Sequence, residues 1–175
     1  MRKQNDSITI GISSCLLGQR VRYDGDHQLS QSVVDCLAPH FSFKPFCPEM
    51  SIGLGVPREP ITLIATQNGT RCVDAKTRSI DVTDSLRNEV NIQADWLAGI
   101  SGYIFKKKSP SCGLTEVKIF RGGEMTREGV GLFAQQLQSQ YPCLPIAEED
   151  QFACDNFCRQ FIERVKHYHQ RHHNQ

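Results

Sequence analysis

An α/β layer fold with a largely parallel central sheet, in a single domain, is what this sequence predicts. Three observations carry that prediction. Short apolar runs of strand length alternate with stretches of helical periodicity. The 175 residues suit one globular domain rather than two. Apolar residues make up 39% of the chain, enough to bury a core and to exclude disorder from end to end.

The first strand is Ile8-Thr9-Ile10-Gly11-Ile12-Ser13, where apolar and small residues alternate. It runs into Ser14-Cys15-Leu16-Leu17-Gly18, a turn ending in glycine. A helix is expected over 30–38, with Ser30 as N-cap and Pro39 as the stop. Phe41 to Phe46 is a short strand, weakened by Pro45, leading into Cys47-Pro48-Glu49. Ile61 to Ala65 is another strand, and Asn68-Gly69 turns the chain into Arg71-Cys72-Val73. Thr83 caps a helix to about Gly99, with Leu86, Val90, Ala94 and Leu97 on one face. Ile100 to Phe105 is a strand followed by a polar loop through Gly113. A helix over 130–141, a strand over 144–146 and a helix from near Glu148 complete the order. Residues 1–6 read as a polar tail, 7–166 as the domain and 167–175 as a polar, His-containing tail.

Lys plus Arg number 20 and Asp plus Glu 19, a near-balance that gives no global signal for nucleic acid or an anionic membrane surface. No apolar run approaches the roughly 18 residues of a membrane span. The polar start, Met1 to Ser7, lacks the apolar stretch of a secretory signal, so a cytoplasmic location is expected. The eight cysteines are therefore not read as a disulfide framework, because the cytosol is reducing. Core thiols, metal or cluster ligands and reactive thiols remain.

Position separates three of them. Cys15, Cys47 and Cys112 each fall in a Gly/Pro-containing loop just after an expected strand. In an open parallel sheet those loops share the carboxyl edge, where ligand sites form. No Cys-x-x-Cys knuckle of a structural zinc site occurs. Three thiolates from separate loops suit an iron–sulfur cluster with one iron left open, and three apolar thiols packed in a core would satisfy the same spacing. Cys154 and Cys158, on the same helix side as Ile162, read as core.

Five ordered segments go further: Ser13-Ser14-Cys15-Leu16-Leu17-Gly18, Val21-Arg22-Tyr23-Asp24-Gly25, Cys47-Pro48-Glu49, Gly53-Leu54-Gly55-Val56-Pro57-Arg58 and Ser109-Pro110-Ser111-Cys112-Gly113. With Asp81-Val82-Thr83 and Pro145-Ile146-Ala147-Glu148-Glu149, they resemble the TudS-type thiouracil desulfidase family, long a domain of unknown function, over roughly residues 7–165. The resemblance implies a Rossmann-like three-layer fold and a 4Fe–4S cluster held by Cys15, Cys47 and Cys112, with one iron open to the substrate sulfur. It implies non-redox hydrolysis of a thiolated pyrimidine, of the 2-thiouracil or 4-thiouracil/thiouridine type, to the oxo-pyrimidine and hydrogen sulfide. Glu49 and Ser109 match the family's acid/base groups. Ser111, on the other side of Pro110, is the alternative serine. Rival readings are desulfuration of 4-thiouridine in tRNA, with nucleic acid the less favoured partner, and a non-catalytic zinc- or redox-binding domain.

Ser14, Arg22, Tyr23, Asp24 and Ser111 are further candidates for substrate contact: Tyr23 to stack on a pyrimidine, Arg22 or Asp24 to bond its edge or to pair with each other. Gly53 and Gly55 are expected to allow close backbone approach, Arg58 to pair with Glu59, and Lys106-Lys107-Lys108 to form a solvated edge at the site mouth. His167, His169, His172 and His173 are read as a frayed tail.

Overall fold

The structure, a computed structural model, describes residues 7–173; the tail over 1–6 lies outside them. Its strands are β1 (Thr9–Ser13), β2 (Ser42–Phe46), β3 (Ile61–Thr66), β4 (Gly69–Asp74), β5 (Tyr103–Phe105), β6 (Val117–Arg121), β7 (Glu124–Gly129) and β8 (Ile146–Glu148). The helices are α1 (Gln31–Leu37), α2 (Pro48–Ser51), α3 (Thr83–Ile92), α4 (Ala94–Leu97), α5 (Leu132–Gln140) and α6 (Asp155–His172). The α/β class is as expected. In place of one largely parallel sheet there are two four-stranded sheets.

The first, ordered β2-β1-β5-β8, is parallel throughout, with Gly11 opposite both Lys44 and Tyr103. Its pleat sends Ile104 to one face and Tyr103 and Phe105 to the other. Ile10, Ile12 and Ile104 pack with Val33 and Leu37 of α1 and Phe161 and Val165 of α6. Tyr103 and Phe105 pack with Phe133 and Leu137 of α5. A side chain at Gly11 would collide with the Tyr103 ring, so this central position needs glycine.

The second sheet, ordered β4-β3-β6-β7, is mixed: β3 and β6 run parallel, and the two outer pairs are antiparallel hairpins. The β3–β4 hairpin turns one residue earlier than expected, at Gln67-Asn68, with Gly69, at φ 103°, pairing Thr66 as the first residue of β4. The β6–β7 hairpin is new; Gly122 and Gly123, at φ of 55° and 89°, make the tight turn that such a hairpin prefers. Leu63, Cys72, Val117 and Ile119 bury this sheet against Leu86 of α3.

Three helix expectations shift. The stretch from Thr83 breaks at Gln93 into α3 and α4. Thr83 is not the cap: its Oγ1 accepts the Cys72 N–H (2.8 Å) and ties α3 to β4. Glu148 ends β8 and caps a single 3-10 turn over Glu149–Ala153, so the last helix starts later, at Asp155. That helix runs to His172, past the expected frayed boundary, and is pinned by Ser101 Oγ to His169 Nδ1 (2.9 Å).

Cys36 of α1 and Cys158 of α6 form a disulfide, against the expectation that no such bridge is present; the two helices pack on the same face of the parallel sheet. Cys154 is exposed rather than core. Among the described residues no helix is long and apolar enough to cross a membrane.

Candidate active site

The chain steps from β1 to β2 on one side and later places β5 on the other. That reversal opens a crevice at the carboxyl ends of β1 and β5, the usual ligand position in such sheets. Three loops meet there. After β1, a 3-10 turn over Ser14–Leu17 buries Ser14 and Cys15 and closes on Gly18, at φ 83°. After β2, Cys47 is the N-cap of α2, Pro48 its first residue, and Glu49 lies in its first turn. After β5, the loop is tied back to β1 by the Lys106 N–H on Ser13 Oγ (3.0 Å) and reaches Cys112, 4% exposed.

Two glycines hold this last loop: Gly113, which closes the Ser109–Gly113 segment, and Gly131, which sequence alone did not mark. Gly113 N–H bonds Ser109 O (2.8 Å), and Gly131 N–H bonds Gly113 O (2.7 Å). A Cβ on Gly131 would lie 2.5–2.7 Å from backbone atoms of Ser111, Cys112 and Gly113, so the start of α5 packs on the loop only as glycine. A Gly-Val-Gly before an amphipathic run is the signal that could have found it.

The loops enclose a cleft of about 300 Å³. It is lined by Ser14, Cys15, Arg22, Tyr23, Cys47, Glu49, Ser109, Ser111 and Cys112. Of the expected site residues only Asp24 is outside it, exposed and 3.5 Å from Arg22 Nε. That Nε is buried without a hydrogen bond, and the guanidinium sits 5.6 Å from the Tyr23 ring centre.

Glu49 is the best-connected group. Its Oε1 accepts the Ser111 hydroxyl (2.8 Å); its Oε2 accepts Arg58 Nε (3.0 Å) and Nη2 (2.8 Å). Arg58 therefore pairs with Glu49 and not with Glu59, which lies 4.0 Å from Lys76. Ser109 Oγ accepts the N–H groups of Cys112 (3.1 Å) and Ser111 (3.3 Å) and lies 3.0 Å from Ser111 Oγ. Gly53 and Gly55, at φ of 86° and 74°, have open space where a Cβ would go. They serve the left-handed turns that bring Arg58 back to Glu49, and not the close approach expected of them.

The lysine run is not merely a solvated edge. Lys106 Nζ bonds Glu149 Oε1 (2.6 Å), whose other oxygen accepts the Lys107 N–H (2.7 Å), and Lys107 Nζ reaches Asp150 (3.1 Å). Glu148 accepts the N–H groups of Leu114 (2.7 Å) and Thr115 (3.2 Å). The 148–149 pair thus anchors both ends of the Cys112 loop.

Burial pushes the Cys15 thiol up to about 11, opposed by the nearby Lys106 ammonium. Burial likewise raises Cys47 and Cys112, with neighbouring thiol and carboxylate charge in the same direction. Left alone, these thiols stay protonated; a cationic centre inverts that preference, because coordination deprotonates a thiol outright. The Tyr103 hydroxyl, fully buried close to the same thiols, has no hydrogen-bond partner. Among the described residues no three His, Cys, Asp or Glu are spaced to hold a single metal ion. Three soft thiols lining one cleft are the donor type that suits an iron–sulfur centre.

Comparison with known proteins identifies the family. Residues 10–149 match the 2-thiouracil desulfurase family. An uncharacterized protein, YbbK of Bacillus subtilis (strain 168), is 31% identical over 128 residues, covering 68% of this chain and 83% of its own. A solved structure of the 4Fe–4S-dependent thiouracil desulfidase TudS is 30% identical, with a TM-score of 0.63 over 82% of this chain and 92% of that one. Three loop cysteines, a paired glutamate and a match spanning every one of these loops place the chain in one group: it belongs to the 2-thiouracil desulfurase family.

Proposed function

We propose that this protein is a 4Fe–4S-dependent desulfidase that hydrolyses a thiolated pyrimidine, of the 2-thiouracil or 4-thiouracil/thiouridine type, to the oxo-pyrimidine and hydrogen sulfide. The observation that carries the reading is the meeting of Cys15, Cys47 and Cys112 in one cleft with a carboxylate–hydroxyl contact, Glu49 to Ser111. The three thiols hold the cluster and leave one iron open. When bound, the cluster supplies a sulfur-seeking Lewis acid.

The reaction exchanges C=S and water for C=O and hydrogen sulfide, so no electrons are transferred and only protons need handling. Glu49 Oε1 takes a proton from the attacking water. Ser111 has one hydrogen, given to Glu49; in its 3.0 Å contact with Ser109, Ser109 is therefore the donor. Ser109, with its oxygen already accepting two N–H groups, keeps its own hydrogen for transfer. As Ser109 turns its hydrogen to the departing sulfur, Ser111 passes its own to Ser109 and Glu49 returns the water's proton to Ser111, so each hydroxyl ends with one hydrogen and the carboxylate is restored. Arg22, steadied at Nε by Asp24, supplies a guanidinium donor to the pyrimidine edge, and Tyr23 covers the ring; Ser14 lines the floor. The apolar clusters on both faces of the parallel sheet support a Rossmann-like three-layer arrangement, and the need for reduced thiols supports a cytoplasmic site of action.

The test is iron and acid-labile sulfide per chain after anaerobic purification or reconstitution, followed by sulfide release from thiouracils and thiouridines. About four of each with turnover supports the reading. Zinc alone would move it to the binding-domain alternative.

A further inference from the structure

The Arg58 guanidinium uses all three of its nitrogens, on Glu49, the Gly55 carbonyl and the Met50 sulfur. Nε and Nη2 clamp Glu49 Oε2, and Nη1 donates to Gly55 O at 2.7 Å. Its main chain is held too, by the Arg58 N–H on Tyr23 O at 2.9 Å. The side chains of Arg58 and Glu49 are only 6% and 13% exposed. Burying such a pair adds little net stability, because desolvation offsets most of the attraction. What it does secure is position: two donors converging on Oε2 hold that oxygen in place, which opposes rotation of the carboxylate.

We infer that Arg58 is a positioning residue for the proposed reaction: by clamping Oε2, it turns Oε1 of Glu49 toward Ser111 and the cleft. Arg58 lines that cleft, and four of its five N–H groups are taken by Glu49, Gly55 and the Met50 sulfur, so the guanidinium is held by the protein and its role is to hold Glu49. Without the clamp, the Glu49 carboxylate rotates and its contact with Ser111 is shared between orientations. Lysine replaces it only in part, since an ammonium is a point charge without the planar fork that reaches Glu49 and Gly55 at once. The inference rests on Glu49 as the proton-handling group.

The experiment compares Arg58→Gln, Arg58→Lys and Glu49→Gln in reconstituted enzyme, with 2-thiouracil and 4-thiouracil as the substrates. Expected for Arg58→Gln is a fall in kcat of about 10–100-fold, the range for residues that orient others in a metal site, with KM within about twofold and iron content unchanged. Arg58→Lys recovers part of kcat. A crystal structure of Arg58→Gln shows Glu49 Oε1 displaced from Ser111 Oγ. A rise in KM at unchanged kcat would make Arg58 a substrate ligand and overturn the inference. So would loss of iron in both Arg58 variants, which would mark a structural support. If Glu49→Gln keeps full turnover, the role of Glu49 itself fails. If Glu49→Gln is inactive while Arg58→Gln keeps kcat and the Ser111 contact, only the positioning role falls.

Discussion

Glu49 and Asp74 are both largely buried carboxylates at the ends of strands, one beyond the parallel sheet and one closing the mixed sheet. Their partners differ in origin. Asp74 is satisfied entirely by its own loop: the Thr77 hydroxyl (2.6 Å) and the N–H groups of Thr77 (2.7 Å), Ile80 (2.8 Å) and Arg78 (3.2 Å). These bonds, the Thr77 hydroxyl first, hold its carboxyl well below the usual range. Glu49 instead meets side chains 9 and 62 residues away and opens on the cleft. A carboxylate satisfied locally shapes its own loop. One assembled from remote side chains is held for what enters the space beside it.

The sharpest way to break this contrast uses the cysteines of the same two regions. Cys112→Ala should lose bound iron and sulfide release by more than about 100-fold, since removing a ligand exceeds removing its supports. Cys72→Ala, buried in the mixed sheet, should keep both and cost about 1 kcal/mol in denaturant unfolding. Full cluster content and turnover in Cys112→Ala would end the proposed function.

The two carboxylates come next. Glu49→Gln should lower kcat by about 10²–10⁴-fold, the range of general acid–base catalysis. Asp74→Asn should leave kcat within about twofold and lower thermal stability. The pH dependence has a definite sign. A depressed carboxyl stabilises the fold above its unfolded value, near 3.9, and that contribution fades as pH falls through the lower folded value. The stability gap between wild type and Asp74→Asn, followed by thermal melts, should therefore shrink below about pH 4.

Smaller effects divide the serines. Ser111→Ala breaks the link to Glu49 and should lower kcat by about 10–100-fold. Ser109→Ala also frees two backbone N–H groups of the loop, so lower iron retention should accompany its loss of rate. Equal kcat values with intact iron would remove the relay. Least affected should be Cys36→Ser, whose bridge to Cys158 lies on the helices behind the sheet: turnover unchanged, unfolding easier by about 2–4 kcal/mol in oxidised protein.

The ligand loops were legible because strand ends can be read one at a time, and a parallel sheet gathers those ends on one edge. What escaped was everything that depends on how a loop returns. Arg58 sits beside Glu59 in sequence, yet the left-handed turns at Gly53 and Gly55 carry it back to Glu49. Ser109 and Ser111 are equivalent by spacing around Pro110; the turn of the loop puts Ser109 Oγ on the Ser111 and Cys112 N–H groups and leaves the Ser111 hydroxyl to meet Glu49. The β6–β7 hairpin was hidden because Glu124 to Glu128 are exposed and mostly polar, leaving Gly122-Gly123 as its one signal. The disulfide depends on α1 meeting α6 across 122 residues, which no local pattern encodes.

The pairing of Gly11 with Tyr103 has a kinetic consequence. The hairpins of the mixed sheet close over a few residues, whereas β1 must wait for β5, about half the chain later. Loop-closure entropy makes such distant pairings slow and late. The cleft is thus among the last regions to assemble and the first to be missing from a partly folded chain. Anything that delivers a cluster to the three cysteines meets its complete target only once β5 has docked.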